Sequence, residues 1–123
     1  MDFGETNPVA KPKPAYTTKD GSQIRELWHP GHDGGGAMSL AQATVEAGAQ
    51  TRLHRHIVAE EIYYIVSGAG VMERGAEQFA IEAGDTVRIP AGVTHRVVAS
   101  ALTPLVILCC CAPPYHHDDT QIL

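Results

Sequence analysis

The chain has 123 residues, 44% of them hydrophobic, enough for one compact domain with a real core and too few for two. Nine basic against fourteen acidic residues give a net charge of −5, which argues against a nucleic-acid surface, because phosphate binding draws on clustered Lys and Arg. The longest apolar run, Leu105 to Ala112, has 8 residues against the roughly 20 of a bilayer-spanning helix, and the N-terminal stretch lacks a signal-peptide core, so a cytoplasmic protein without membrane contact is expected.

Residues 1–14 carry Pro8, Pro12 and Pro14 among Lys11 and Lys13, a composition that favours extended, poorly paired backbone. An N-terminal arm is predicted there, with residues 15–123 forming the domain. Tyr16 to Thr18 and Ser22 to Trp28 flank Lys19-Asp20-Gly21, and Asp-Gly between β-compatible runs signals a hairpin. The run Gly31 to Gly36 (GHDGGG) predicts a flexible loop at one mouth of the fold. Met38 to Val45 predicts a further strand, and Glu46 to Gln50 the turn after it.

His54-Arg55-His56 comes next. Successive side chains on a strand point to opposite faces, so these two imidazoles project to the same side. Glu61 opens the run to Val66, whose β-branched and aromatic residues predict the following strand. Val71 to Glu73 and Gln78 to Ile81 predict a hairpin around Arg74-Gly75-Ala76-Glu77, and Ala83-Gly84-Asp85 turns into Thr86 to Ile89. His95 follows the Pro90-Ala91-Gly92 turn and opens a strand to Ala99, before a last one from Leu105 to Cys111. The tail Pro113 to Asp119 is polar and turn-rich and is predicted to wrap the outside, with His116 and His117 at the surface. No helical stripe with a capped start is present. Many short strands punctuated by Gly and Pro predict an all-β sandwich or barrel, closure hiding the strand edges.

His54, His56, His95 and one carboxylate form a donor set that suits Fe, Mn, Ni, Cu or Zn and suits Ca or Mg poorly. Glu60 and Glu61 compete for the carboxylate position; Glu61 shares its strand face with Tyr63 and Ile65 and is favoured. Arg52 has the parity of His54 and His56, which either aims it inward to hold a substrate carboxylate or phosphate or leaves it solvated at the strand's entrance. Tyr63 either lines the pocket as an acid or base or packs as a barrel tyrosine. His29 and His32 lack the carboxylate or cysteine pattern of a second metal site. The consecutive Cys109, Cys110 and Cys111 are unlike a disulfide framework and read as reduced thiols continuing an apolar strand.

These residues resemble the two motifs of the cupin superfamily. The first, G-x5-H-x-H-x(3,4)-E-x6-G, is matched by Gly48, His54, His56, Glu61 and Gly68; the second, G-x5-P-x-G-x2-H-x3-N, by Gly84, Pro90, Gly92 and His95, with Ala99 in place of its final Asn. Fifteen residues separate Gly68 from Gly84, which resembles the short spacing of small single-domain members. The resemblance implies a small antiparallel β-barrel, a double-stranded β-helix of jelly-roll type, in which His54, His56, Glu61 and His95 ligate one divalent transition metal ion. It also implies a homodimer and a small-molecule substrate or ligand. It does not select a reaction among oxygenases, isomerases or epimerases, decarboxylases and lyases. The expected function is a metal-dependent enzyme acting on a small oxygen-rich molecule, with a non-catalytic binding or sensing module as the alternative.

Overall fold

The computed structural model describes residues 9–123, so the first eight residues of the expected arm lie outside the described residues. Within the rest of that arm, Lys13 donates its backbone N–H to the Glu26 carbonyl at 3.1 Å. Eleven strands follow: β1 (Tyr16–Thr17), β2 (Gln23–Trp28), β3 (Ser39–Val45), β4 (His54–His56), β5 (Glu60–Ser67), β6 (Ala69–Arg74), β7 (Glu77–Glu82), β8 (Thr86–Ile89), β9 (His95–Ala99), β10 (Leu105–Ala112) and β11 (Thr120–Ile122). They form two antiparallel sheets, ordered β1-β2-β3-β10-β5-β8 and β11-β4-β9-β6-β7. From β3 onward the chain passes back and forth between the sheets, which makes the fold a jelly-roll barrel rather than two independent meanders.

Alternation decides what each strand buries. Along β5, Glu61, Tyr63 and Ile65 are buried while Glu60, Ile62, Tyr64 and Val66 are exposed. Ile65, Met72, Ile89, Val97, Leu105 and Ile107 close the core between the sheets. The polar residues His54, His56, Glu61 and His95 are buried too, and they cluster together. Gly68 joins β5 to β6 at φ +86°, and a Cβ there would stand 2.1 Å from the Pro104 carbonyl oxygen, so no other residue fits without moving the backbone.

Two segments differ from the sequence expectation. Pro30–Asp33 forms a short helix, α1, within the stretch predicted as loop. Pro30 is pre-set for the first turn, the His29 side chain accepts from the Gly31 N–H, and the helix stops at Gly34 in the left-handed region. The tail predicted over Pro113 to Asp119 ends in a 3-10 turn at His117–Asp119, and beyond it, where the sequence predicts no element, β11 pairs with β4 in the register Thr120↔His56 and Ile122↔His54. A three-residue strand carries too little alternation to be read from sequence.

Candidate metal centre

Pairing brings the four residues together from opposite sheets. His54 and His56 sit on β4, and His54 lies directly opposite His95 on β9. Glu61 enters from β5 in the facing sheet, paired with Cys111 of β10 and Ile89 of β8. The His95 position depends on the Pro90-Ala91-Gly92 turn, where Gly92 takes φ +80° and donates its N–H to the His56 carbonyl at 2.7 Å. One ligand atom from each of His54, His56, Glu61 and His95 lies within 4.8 Å of the others.

The imidazoles are oriented from behind. His54 Nδ1 lies 2.7 Å from the Arg52 carbonyl and His95 Nδ1 3.0 Å from the Val93 carbonyl. A carbonyl only accepts, so both Nδ1 atoms carry the hydrogen. Thr120 donates its hydroxyl hydrogen to the His116 carbonyl at 3.3 Å, so its oxygen accepts from His56 Nδ1 at 3.2 Å. In the neutral rings all three Nε2 atoms are then left with bare lone pairs. Tying the far nitrogen to a carbonyl or hydroxyl is how metal-binding histidines are held.

Glu61 Oε1 lies 2.7 Å from His56 Nε2 and 3.3 Å from His95 Nε2. Even so, Glu61 Oε1 and His95 Nε2 are buried without a well-angled hydrogen bond. Buried acceptors left unsatisfied are costly, and a cation between them removes that cost. The other oxygen, Oε2, accepts from the Cys111 thiol at 3.2 Å. By donor type, burial and orientation, these four residues fit a divalent transition metal.

The electrostatics agree. Burial lowers the His54 pKa, aided by the nearby His95, which keeps that ring neutral. Burial would also lower His56, but the Glu61 carboxylate beside it outweighs that and raises the pKa. Burial would raise Glu61, and the histidines His56 and His95 overcome it, holding the carboxyl well below the usual carboxylate range. Burial pushes the Cys111 thiol far up, as it does Cys109, so both stay protonated.

Glu60, the competing carboxylate, points outward and pairs with Arg88 at 2.9 Å on the surface. Tyr63 is buried and lines the cavity, its ring 5.9 Å from that of His95, edge to face. Burial raises its phenol pKa well above the ordinary value, so it stays protonated. The Arg52 side chain is exposed and does not line the cavity. Regular alternation begins only at His54, so parity did not carry back to residue 52; Arg52 instead contributes its carbonyl to His54. His29 is occupied on both nitrogens, by the Gly31 N–H and the Tyr115 carbonyl. His116 and His117 are exposed, as expected.

Sequence reasoning missed Asp20, Cys111, Tyr115 and Thr120. Asp20 was read as a turn residue, yet its Oδ2 stands 3.5 Å from His54 Nε2. The signal for Cys111 was its parity with Cys109 on the last long strand. For Tyr115, whose ring lies 6.0 Å from that of His56, and for Thr120 there was no signal without the β11 pairing. No helix among the described residues is long and apolar enough to cross a membrane.

Comparison with known proteins agrees with this geometry. The chain is 50% identical over 108 residues to "Uncharacterized protein MJ1618" of Methanocaldococcus jannaschii, covering 88% of this chain and 86% of that protein. Pac13 of Streptomyces, a nucleoside dehydratase, superposes with a TM-score of 0.73 at 18% identity, over 100% of this chain and 92% of that one. KdgF from Halomonas superposes with a TM-score of 0.70 at 22% identity, over 86% and 92%. Likenesses at such low identity show the shared fold. The Cupin_2 family model, described as a cupin domain, matches residues 41–111, from mid-β3 to the end of the cysteine run and across all four clustered residues. The chain belongs to the cupin family.

Proposed function

We propose that this protein is a metal-dependent enzyme acting on a small oxygen-rich molecule, with His54, His56, Glu61 and His95 holding one ion of Fe, Mn, Ni, Zn or Cu. The observation that carries the reading is the set of four converging buried donors in which Glu61 Oε1 and His95 Nε2 lack hydrogen-bond partners. A bound ion of this kind supplies Lewis acidity toward a ligand oxygen. The chain's own groups do the rest. Arg52, Val93 and Thr120 hold the imidazoles in one tautomer, and the Cys111 thiol fixes the second oxygen of Glu61. Tyr63, protonated, offers a hydrogen to a ligand rather than taking one. The adjoining cavity carries Ile24, Ala43, Val45 and Ile107 on its apolar side, which shields the reacting group from bulk solvent. The likeness of fold to Pac13, a dehydratase, supports catalysis over a purely structural barrel.

The test is to strip the protein with a chelator, reload it with each of the five metals, and follow small diols, sugars and sugar acids by mass spectrometry and oxygen uptake. Turnover by a loaded form that is lost in His95→Ala supports the reading. Turnover indifferent to stripping contradicts it, and tight ligand binding without conversion by any loaded form points to the non-catalytic binding module.

A further inference from the structure

Two carboxylates besides Glu61 line the cavity, Asp20 and Glu26. Asp20 is fixed by three donors on one oxygen: Oδ1 accepts from Thr18 Oγ1 at 2.6 Å, the Ser22 N–H at 2.9 Å and Ser22 Oγ at 2.6 Å. Its other oxygen faces His54. Glu26 enters on β2, opposite Ala41 of β3, and the same row continues through Cys109 to Tyr63. The small side chains of Ala41 and Cys109 leave the hollow that separates Glu26 from Tyr63. Glu26 Oε1 accepts the Tyr16 hydroxyl at 3.1 Å, but Oε2 is buried with no partner. Such an oxygen has lost water without replacement, and a ligand donor reaching it recovers the loss.

No Lys or Arg side chain lines this cavity among the described residues, and residues 1–8 contain neither. Glu61, Asp20 and Glu26 bring three negative charges, of which a divalent ion cancels two. The field inside therefore opposes an anion whether or not the metal is bound. In the adjoining outer hollow, which shares Glu26 and Tyr115, Lys13 is tied to Asp33 at 2.5 Å. The inner cavity measures about 50 Å³, room for roughly four waters and hence for a fragment of a few heavy atoms.

We propose that the cavity takes a small neutral or cationic polyol, a hydroxy-amine fitting best, with hydroxyls toward the four clustered residues and an ammonium or further hydroxyl donating to Glu26 Oε2, and that it rejects phosphate esters. The hydroxyl end rests on the metal reading above; the Glu26 end does not. Recognition comes from one carboxylate oxygen without a donor and from an uncompensated negative wall.

Three probes of one carbon skeleton test this: glycerol, 3-amino-1,2-propanediol and glycerol 3-phosphate, titrated by calorimetry and ligand-observed NMR into zinc-loaded and metal-stripped full-length protein. The aminodiol should bind about tenfold tighter than glycerol, as a charge-assisted hydrogen bond provides, and the phosphate ester weakest of the three. Glu26→Gln should remove most of the aminodiol's advantage while zinc content stays unchanged. Folding of the variant is checked by circular dichroism, and the ranking of the three probes needs no variant at all. Glycerol 3-phosphate binding as tightly as the aminodiol, an advantage that survives Glu26→Gln, or no binding of any probe would each overturn the proposal. A wild type that takes up no metal yet keeps the aminodiol preference would overturn the metal reading and leave this one standing. Stoichiometric zinc with the reverse ranking would do the opposite.

Discussion

Asp119→Ala removes the acceptors of two backbone donors in the turn that separates His56 from Glu61. Asp119 Oδ1 accepts from the Val58 N–H at 2.8 Å and Oδ2 from the Ala59 N–H at 3.0 Å, while the Asp119 carbonyl takes the Ile57 N–H at 3.0 Å. The carboxylate thus fixes the distance between two of the four clustered side chains. A hydrogen bond to a charged acceptor contributes about 1.5–3 kcal/mol, but Val58 is 64% exposed and water competes there, so about 2 kcal/mol is expected for the pair together. Asp119→Asn keeps one acceptor and should lose about half as much. Urea unfolding of the metal-stripped protein reads this as a lower midpoint at unchanged slope. Zinc affinity, measured against a chromophoric chelator, should fall about threefold to tenfold, because the loosened turn must then be ordered on binding. A loss below about 0.5 kcal/mol, the scatter of ordinary surface substitutions, together with unchanged zinc affinity would refute the idea that the tail shapes the site.

Glu61→Gln should weaken metal binding by more than about 100-fold, beyond the range for outer-shell partners, whereas Glu60→Gln removes only a surface pair with Arg88 and should leave affinity unchanged; the opposite order in a chelator competition would show that the wrong carboxylate was chosen. Gly68→Ala must accommodate both a positive φ and the Pro104 carbonyl, so a loss of about 3 kcal/mol or more is expected by thermal unfolding, and an unchanged Tm would contradict the close approach. For the metal-stripped protein, the signs of the pKa shifts fix the pH dependence. Glu61, lowered, stabilises above its ordinary value and loses this as pH falls; His54, lowered, likewise loses its part as pH falls below its ordinary 6.5. His56, raised, stabilises fully below 6.5 and loses this as pH rises through its folded value. Tm against pH should therefore peak near 6.5 when stripped and lose its alkaline decline once zinc replaces the proton on His56; an alkaline decline of equal size in both forms would contradict this.

The barrel and its four clustered residues were legible because both depend on local rules. Period-two alternation placed His54, His56, Glu61, Tyr63 and Ile65 on inward faces, and glycine and proline turns marked most strand ends. Glu61 was separable from Glu60 by its six-residue separation from Gly68 together with the strand face it shares with Tyr63 and Ile65, and the structure seats one inside and the other against Arg88. What was not legible depends on long-range pairing. Thr120 reaches the site because β11 adds to β4, Tyr115 through its N–H to Ser39, and Asp119 through the N–H groups of residues 57–59, and nothing in residues 113–123 announces those partners. Asp20 carries the signature of a hairpin, and a turn residue's second carboxylate oxygen has no sequence mark. Arg52 illustrates the limit of parity itself: its spacing from His54 left an inward and a solvated side chain equally open, and the structure has the exposed one because regular alternation begins only at His54.

Metal stoichiometry tests the central claim most directly. Untagged protein purified without chelators, and the same protein after reloading, would be assayed by inductively coupled plasma mass spectrometry beside His54→Ala and His95→Ala, with circular dichroism to confirm that each stays folded. The convergence of His54, His56, Glu61 and His95 requires about one transition metal ion per wild-type chain and a steep loss in both folded variants. Wild-type protein without metal even after reloading, or variants that keep the full stoichiometry, would contradict the account.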